Sequence, residues 1–448
     1  MELKDYIGEY LYKKQGFTEK TEFEIRETDP FCLLTPERLD IISKYLLLEY
    51  FDLKTKSVLP YIIYKEIIDI FSDGNFTEAG NEKKNDFESF ISEFKETYNS
   101  IKENGFDESL SCIPIGTDNV ILDGAHRTAI IMYLNLPVKT IFIPDASKPY
   151  FNYDYFRRKQ LPENYIQILV RHYARLTKRN IYTICLWPSA AKHCNKNEIE
   201  KQIEEKARII YFRSIKLTEL GFKNFLINVY MGQPWLESAA QEYKGVYGKH
   251  VECYEKDLPT NVYLIEGPDL EEILQLKGHI RNLCNIGKHS VHITDTREEA
   301  LSILDIITNN EAINMLNYGD FVGTVNRLEH EMFNKSEFVP PQYLGEIMDV
   351  KIEDSGCVKN CAEALDRIDN EYVANLFGYM FLTAKAGLLI DPANEKGYLA
   401  IRNKAGVGFF QRARIEKDKA VYNLKRFIKN SLRRLGVLDL VTKLFFSK

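Results

Sequence analysis

Apolar residues recur at helical spacing over residues 36–71, in PERLDIISKYLLLEYF and LPYIIYKEIIDIF. FESFISEFKETYNSIKENGF predicts another amphipathic helix, with Gly105 at a position typical of a helix end. The polar stretch SDGNFTEAGNEKKND predicts a surface loop. SCIPI and NVIL then predict two short strands joined by the turn GTDN, followed by a helix at HRTAIIMYLN and a buried strand at VKTIFIP. Residues 1–30 are polar, and we expect them to fray.

A second alternating pattern begins near Asn180, after an aromatic and basic stretch at 150–178 that predicts a helical link between domains. Strands are predicted at IYTICLW, RIIYFRSIKL, NVYLIEG and HSVHITD. Helices are predicted at NEIEKQIEEKA, ELGFKNFLINVYM, DLEEILQLKGHIRNL and REEALSILDIITN. This alternation predicts a mixed sheet flanked by helices.

The pattern changes again near Asn317, where helices and one strand are predicted before a basic tail. We therefore expect an α/β (α+β) protein with an N-terminal nucleotide-binding or phosphate-binding domain, two further mixed α/β domains and a basic amphipathic C-terminal helix. The predicted boundaries are 1–150, a helical linker at 151–179, 180–316, 317–418 and a tail at 419–448.

Composition narrows the classes of function. The chain has 448 residues, 45% of them hydrophobic and 28% charged, with a net charge of −6, which is typical of a soluble globular protein and argues against a nucleic-acid partner. MELKDYIGEYLYKKQ has no apolar core of a signal peptide, and no apolar run would span a bilayer, so a cytoplasmic protein is expected. The eight cysteines form no CxxC pair and predict reduced thiols. The sequence is compatible with a homo-oligomer.

Candidate chemistry begins in NVILDGAHRTAIIMYL, where a strand runs into a helix. Gly124 allows a tight turn and close approach of a ligand, and Arg127 offers a planar set of donors to phosphate oxygens. His126 adds a donor or a proton-transfer group, and Asp123 would orient these side chains or hold a metal ion. With the free N–H groups of the helix end, these residues predict an anion site. The alternative is a capped turn with a structural ion pair.

The surrounding residues 87–144 add a resemblance. FKETYNSIKENGF, a strand–turn–strand and DGAHRTAIIMYLNLPVKTIFI together resemble the ParB/sulfiredoxin-like fold. Ala125 occupies the place of the reactive cysteine of sulfiredoxins, which excludes their chemistry here, and no helix-turn-helix domain of the ParB type follows residue 150. The Asp-Gly and His-Arg pairs are closest to the branch of ADP-dependent serine kinases, although Ala125 departs from it. The resemblance implies ATP or ADP as cofactor, with CTP as an alternative.

A kinase also needs a carboxylate that orients or deprotonates the acceptor hydroxyl, and usually Mg²⁺. Asp40 is the preferred catalytic carboxylate, with Lys44 as a phosphate ligand beside Arg38. Asp123 and His126 complete the predicted catalytic set, and Asp123 is a candidate Mg²⁺ ligand. Further candidates are Glu66, Glu78, Lys83 and Lys84, and for all of these residues, Asp40 and Lys44 included, a solvated charge of a helix or loop is the favoured alternative.

A second cluster of charged residues lies in KGHIRNLCNIGKHSVHITDT. Basic residues one helical turn apart would face a strand end rich in His and Asp, which suits a phosphorylated or acidic substrate. The predicted substrate-binding residues are Lys277, Arg281, Lys288, His292 and Asp295. A metal site from His289, His292 and Asp295 is weak, because strand alternation directs the two histidines to opposite faces. An exposed basic helix beside a polar edge strand is the alternative.

Two later segments, IEDSGCVKNCAEALDRIDNEY and GFFQRARIEKDK, together with this cluster, resemble nucleotidyltransferase-like domains of bacterial surface-polysaccharide loci. The resemblance implies a turn at Ser355 and Gly356 and Mg²⁺ ligands at Asp366 and Asp369. Two residues separate these acids where the usual pattern has one, so a substrate-binding copy stays as open as an active one. The usual closing motif corresponds to Arg412, Arg414 and Asp418.

The tail at 419–448 alternates apolar and basic residues at helical spacing, which suits an anionic membrane surface or an acidic partner, and equally a helix packed on the protein itself. If the tail binds an anionic membrane surface, the protein would be peripheral to the inner face of the membrane. Three functions remain: a kinase for a hydroxyl of a small molecule or sugar, which the resemblance places in surface-polysaccharide synthesis; a nucleotidyltransferase using Asp366 and Asp369; and a nucleotide-gated adaptor without turnover.

Overall fold

The computed structural model describes residues 2–53, 58–78, 80–81, 83–107, 112–230, 233–236, 243–309, 312–313 and 316–317. Helices and two sheets alternate along these residues, which confirms the α/β class. Asp366, Asp369 and the tail at 419–448 lie outside the described residues. The division into domains stays a prediction.

The first sheet has three strands in the order β1-β3-β2, with β1 antiparallel and β2 parallel to β3. The helix between β2 and β3 therefore belongs to a crossover that joins two parallel neighbours. The elements of this region are α1 (Leu3–Ile7), α2 (Glu9–Gln15), β1 (Glu24–Thr28), α3 (Asp40–Phe51), α4 (Leu59–Phe71), α5 (Phe87–Asn104), β2 (Ile113–Ile115), α6 (Ala125–Leu134) and β3 (Val138–Phe142).

Capping residues explain where α5 begins and ends. The side chain of Asp86 accepts a hydrogen bond from the backbone N–H of Ser89 at 2.8 Å, which satisfies one of the N–H groups that a helix start leaves without a partner. Gly105 follows the last turn with φ of 80°, a conformation that glycine adopts without a steric penalty. The predicted helix end is confirmed.

Two predictions for this region are wrong. Residues 1–30 contain two helices and strand β1, which pairs with β3 from Glu24 to Thr28. NVIL is not a strand, because residues 117–119 form a short 3-10 turn and only Ile121 makes a bridge, with Ile115. The polar sequence of β1 reflects its place at the edge of the sheet, where one side faces solvent.

The second sheet has four strands in the order β5-β6-β4-β7, and every neighbouring pair is antiparallel. The mixed sheet predicted here is therefore wrong, although all four strands and all four helices occur where they were predicted. The elements are α7 (Tyr153–Arg158), α8 (Glu163–Leu176), β4 (Ile181–Leu186), α9 (Lys196–Glu204), β5 (Arg208–Ile215), α10 (Glu219–Val229), α11 (Val246–Cys253), β6 (Thr260–Glu266), α12 (Leu270–Cys284), β7 (Val291–Ile293) and α13 (Arg297–Ile307).

Both faces of the second sheet are covered by helices, which explains why β4 is apolar at nearly every position. Tyr182, Ile184 and Leu186 pack with residues of α9 and α12 on one face. Ile181 and Cys185 belong to the core on the other face, with residues of α8, α10 and α13. Helix α12, which carries Lys277 and Arg281 of the second charged cluster, is thereby held against the sheet.

Helix α8 lies in the core that the two sheet regions share. It contacts α3 of the first region and α13 of the second, and Ile166, Leu169 and Tyr173 are fully buried. One continuous hydrophobic cluster runs from Leu33 to Leu316 through these residues. The stretch predicted as a link is thus a packed helix. None of the described helices has the length and apolar character that a membrane span requires.

Cys194 and Cys284 form a disulfide bond, with their Cα atoms 4.9 Å apart. The expectation of reduced thiols throughout is therefore wrong for this pair. The bond connects the segment before α9 to the last residue of α12, across 90 residues of sequence. Cys32, Cys185 and Cys253 are free thiols, and Cys357 and Cys361 lie outside the described residues.

Candidate functional site

The start of α6 forms one side of a cavity. Gly124 precedes the helix in the left-handed region, with φ of 82° and ψ of 31°. The backbone N–H of Thr128 donates to the carbonyl oxygen of Gly124 at 2.8 Å, so the regular helical bonds begin there. The first N–H groups of a helix point out of its start, and the helix dipole adds partial positive charge there.

A side chain at position 124 would collide with its surroundings. A Cβ atom there would lie 2.9 Å from Nη2 of Arg127 and 3.2 Å from Cδ1 of Ile113. The guanidinium of Arg127 is thus folded over the turn, and its Nη2 lies 3.9 Å from Oδ2 of Asp123. Asp123 is the more exposed partner, with 56% of its side chain accessible. The site needs glycine for its backbone conformation, and a Cβ atom would also require the flexible end of Arg127 to shift.

Asp40 lies at the centre of a buried charge cluster. Its carboxylate accepts from Nε and Nη2 of Arg38 at 2.8 and 2.9 Å and from Nζ of Lys44 at 3.1 Å. Burial disfavours the charged carboxylate, but the two cations outweigh burial and hold the pKa of Asp40 well below its usual range. Arg38 also donates to the carbonyl of Ile121 at 2.6 Å, which connects the cluster to the loop before α6. The carboxylate is therefore ionised and fully occupied with two cations.

His126 points its ring into an aromatic environment. Its Nε2 lies 2.8 Å from the hydroxyl oxygen of Tyr64, and its ring meets Phe94 edge-on at 4.8 Å between centroids. Burial and then the nearby charges of Lys44 and Lys84 place the pKa of His126 well below its ordinary value. The imidazole is therefore neutral at pH 7. Tyr64 was not a candidate in the sequence, since 62 residues separate it from His126.

These residues line one cavity of about 620 Å³, which we call the N-terminal cavity. It contains every predicted catalytic and cofactor-binding residue of the first region: Lys44, Asp40, Asp123, Gly124, His126 and Arg127. Of the further candidates, Glu78 and Lys84 line it, whereas Glu66 and Lys83 are not among its lining residues. Residues some 85 positions apart in sequence thus meet at one place.

The loop before α5 contributes Lys84 and Glu78 to the wall of the N-terminal cavity. Nζ of Lys84 donates to Oε2 of Glu78 at 2.7 Å and lies 3.8 Å from Oε2 of Glu93. Asn81 donates to the same Glu93 oxygen at 2.9 Å. Lys84 is therefore held over the cavity by two carboxylates from different elements.

Two cofactors are predicted from the sequence, a nucleotide and Mg²⁺. The N–H groups at the start of α6, the close turn at Gly124 and the lysines fit a nucleotide phosphate. Among the described residues, no group of three or more His, Cys, Asp or Glu side chains is arranged to hold a metal ion. Mg²⁺ in phosphoryl-transfer sites is commonly held by one or two carboxylates together with phosphate oxygens and water, and Asp123 offers one such carboxylate.

The second charged cluster lines another cavity, of about 570 Å³, between α11, α12 and β7. This second cavity contains all five predicted substrate-binding residues: Lys277, Arg281, Lys288, His292 and Asp295. It adds residues that were not predicted: Tyr230, Trp235, Lys249 and Glu299. Nothing in the sequence near 277–296 indicated them, because they come from other elements of the chain.

The contacts within the second cavity correct one argument made from strand alternation. His289 lies in a 3-10 turn at 287–289 rather than in β7, so it and His292 line the same cavity. His292 bonds through Nε2 to Oε1 of Glu299 at 2.8 Å, and burial lowers the pKa of His292. Nζ of Lys277 donates to the carbonyl of Ile293 at 2.8 Å and to Asp295 at 3.2 Å.

Comparison with known proteins adds nothing to these two sites. No protein-family model, no curated protein and no solved structure matches this chain. The resemblance to the ParB/sulfiredoxin-like fold stays a prediction from the sequence.

Proposed function

We propose that this protein is a nucleotide-dependent phosphotransferase that binds the phosphates of ATP or ADP, or of CTP, in the N-terminal cavity. The acceptor would be a hydroxyl of a small molecule or sugar. One observation carries the proposal: the start of α6 with its Gly124 turn, Lys44 and Lys84 line the same cavity. Its predicted place in surface-polysaccharide synthesis depends on the resemblance alone.

The helix end and the cations have separate roles in this proposal. The N–H groups that precede Thr128 bind phosphate oxygens along the helix dipole, and Arg127 provides two parallel donors. Lys44 and Lys84 supply positive charge from other elements that line the cavity. Phosphoryl transfer depends chiefly on such positioning and on stabilisation of developing negative charge.

The carboxylate Asp40 positions cations rather than moving a proton. Its oxygens are occupied by Arg38 and Lys44, and its low pKa makes it a poor base. Asp123 lies at the exposed rim and is the better candidate to orient an acceptor hydroxyl or a magnesium ion. His126 is neutral and held by Tyr64, so it can exchange a hydrogen bond with a ligand without adding charge.

A thermal-shift panel tests the nucleotide site. ATP, ADP, CTP, GTP and UTP are each added with Mg²⁺ to the wild type, to Arg127→Ala and to Arg158→Ala, a control in which an exposed arginine of α7 is removed. We expect one nucleotide to stabilise the wild type and the control, and Arg127→Ala to bind it about tenfold more weakly or worse. Stabilisation that persists in Arg127→Ala, or none with any nucleotide, would reject this site.

A nucleotide-gated adaptor without turnover is the second candidate, and one observation favours it. Each of the four carboxylates that line the N-terminal cavity among the described residues lies within 4.0 Å of a lysine or arginine nitrogen, and a nearby cation weakens a carboxylate as a base. Incubation of the bound nucleotide with a panel of sugars and amino alcohols separates the two. Consumption of ATP or ADP supports the transferase, and tight binding without consumption supports the adaptor. Release of pyrophosphate would instead support a nucleotidyltransferase.

A further inference from the structure

The second cavity holds more positive charge than its own carboxylates neutralise. Four cationic and two carboxylate side chains line it among the described residues. Asp295 pairs with Lys277 at 3.2 Å, and Glu299 is bonded to His292 at 2.8 Å. The three cations that have no carboxylate of the described residues within ion-pair distance are Lys249, Arg281 and Lys288. The cavity therefore attracts an anion although the whole chain is acidic.

The polar groups around this excess charge are held in place. Glu299 accepts from the backbone N–H of Asp295 at 3.0 Å as well as bonding His292. Nζ of Lys249 donates to the carbonyl of Lys288 at 2.7 Å. The Nε atom of Arg281 is buried and makes no hydrogen bond to a described atom. A preorganised frame with an unsatisfied donor is the arrangement expected of a binding site.

Aromatic side chains form the rest of the cavity wall. Trp235 is 43% exposed, which is unusual for so large an apolar side chain. Its ring meets that of Tyr230 at 5.0 Å between centroids, and Tyr230 meets His292 at 5.0 Å. The volume of about 570 Å³ suits a small molecule. An exposed tryptophan beside cations suits a ligand that has a ring as well as negative charge.

We propose that the second cavity binds a phosphate monoester of a ring compound, with the phosphate at Arg281 and Lys288 and the ring on Trp235. A phosphate monoester has close to two negative charges at pH 7, which matches the surplus of two cations. Arginine binds such a group through two parallel hydrogen bonds. This site goes beyond the proposed nucleotide site, since the two cavities share no lining residue.

The environment of Lys249 adds a pH dependence. Burial, together with the charges of Arg281, Lys288 and Lys277, lowers the pKa of Lys249 to about 8, while Cys253 opposes the shift. Lys249 is therefore charged at pH 7 and loses its proton above pH 8. An anion bound beside it favours the charged form, so binding at pH 8.5 should take up protons and should be weaker than at pH 7.

Isothermal titration calorimetry on the full chain tests the proposal, with glucose 6-phosphate as probe. The other arms use uridine 5′-monophosphate, inorganic phosphate and glucose. We expect at least one ester to bind, and glucose not to bind. Arg281→Ala and Lys288→Ala should each weaken ester binding about tenfold. Trp235→Ala should weaken ester binding but leave the affinity for inorganic phosphate unchanged. Lys201→Ala, at an exposed lysine of α9, is the matched control and should bind as the wild type does.

The result is separable from that for the nucleotide site. Ester binding should be unchanged in Arg127→Ala, and its loss there would place the ester in the N-terminal cavity and overturn the proposal. Failure of every ester to bind would also overturn it, as would binding that survives the Arg281→Ala/Lys288→Ala double variant. Because Lys288 is exposed, its variant keeps the test valid even if Arg281→Ala does not fold.

Discussion

The N-terminal cavity and the second cavity both collect cations, but they differ in how those cations are balanced. In the first, Asp40, Glu78, Glu93 and Asp123 all lie within 4.0 Å of a lysine or arginine nitrogen. In the second, three of the four cations have no such partner among the described residues. In the first cavity Arg38, Lys44, Lys84 and Arg127 already have a carboxylate nearby, and the backbone N–H groups at the Gly124 turn add to them, whereas the second cavity has a surplus of side-chain charge. Charged residues thus stabilise the fold as ion pairs in the first cavity, whereas in the second cavity they leave charge available to a ligand.

The largest effect should follow from Asp40→Asn in the N-terminal cavity. The substitution keeps the shape of the side chain but leaves Arg38 and Lys44 as buried charges without a counterion. Breaking a buried ion pair in this way costs about 3–5 kcal/mol, measurable as a fall in the free energy of unfolding in urea. Asp123→Asn, at an exposed pair 3.9 Å apart, should change it by less than about 1 kcal/mol.

The pH dependence of the stability of Asp40→Asn tests whether the lost ion pair causes its destabilisation. The pKa of Asp40 is lowered in the folded state. Its contribution to the free energy of unfolding is therefore fully present above the pKa of the unfolded chain, about 4, and is lost as the pH falls from there through the lower pKa of the folded state. The difference in unfolding free energy between wild type and Asp40→Asn should therefore shrink in acid. A difference that stays constant from pH 7 to pH 3 would contradict the ion-pair explanation.

The disulfide should matter to the second cavity and not to the first. Cys284 ends α12, which provides Lys277 and Arg281. Cys194→Ala, or reduction of the wild type, should lower the free energy of unfolding by about 2–4 kcal/mol and weaken ester binding in the second cavity. Nucleotide binding in the N-terminal cavity should be unchanged. Cys32→Ala removes a free thiol and should leave all three measurements as they are.

Lys249 should destabilise the fold in its charged form. Its folded pKa of about 8 lies below the ordinary 10.5, so the unfolded chain holds more protons between these values and stability from this group rises with pH there. Lys249→Met should raise the free energy of unfolding at pH 7 by about 1 kcal/mol and remove that rise. Lys201→Met, at an exposed site, should show neither change. A variant that is less stable than the wild type at pH 7 would show that the bond to Lys288 outweighs the burial of charge.

Local patterns predicted most of the elements, because amphipathic spacing and capping residues act within a few positions. Helix α5 and strands β4 to β7 were found in this way. Strand β1 was missed because its short polar sequence becomes a strand only through pairing with β3, over 100 residues away. The antiparallel order of the second sheet was missed for the same reason, since periodicity does not contain strand direction.

The sequence predicted which residues belong to the two sites but not which of them contact one another. Arg38, Asp40 and Lys44 were recognised as charges near one helix, and only their burial shows that they neutralise one another. Tyr64 bonds His126 from 62 residues away, and the disulfide spans 90 residues. Burial and distant partners depend on the packing of the whole chain, so neither could be read from spacing.

The smallest effects, of opposite sign, should come from one substitution made at two glycines. Gly124→Ala forces a residue with a side chain into φ of 82° and places its Cβ 2.9 Å from Nη2 of Arg127, so the free energy of unfolding should fall by about 1 kcal/mol or more. Gly278 lies inside α12, where a Cβ would meet no atom within 4 Å. Gly278→Ala should raise the free energy of unfolding by about 0.5–1 kcal/mol, since alanine favours the helix.

Nucleotide binding distinguishes the two variants further. Gly124→Ala displaces Arg127 and should weaken nucleotide binding, whereas Gly278→Ala should leave it unchanged. If nucleotide affinity were equal in the two variants, the turn at Gly124 would be a purely structural feature, and the positive side chains alone would have to account for binding in the N-terminal cavity.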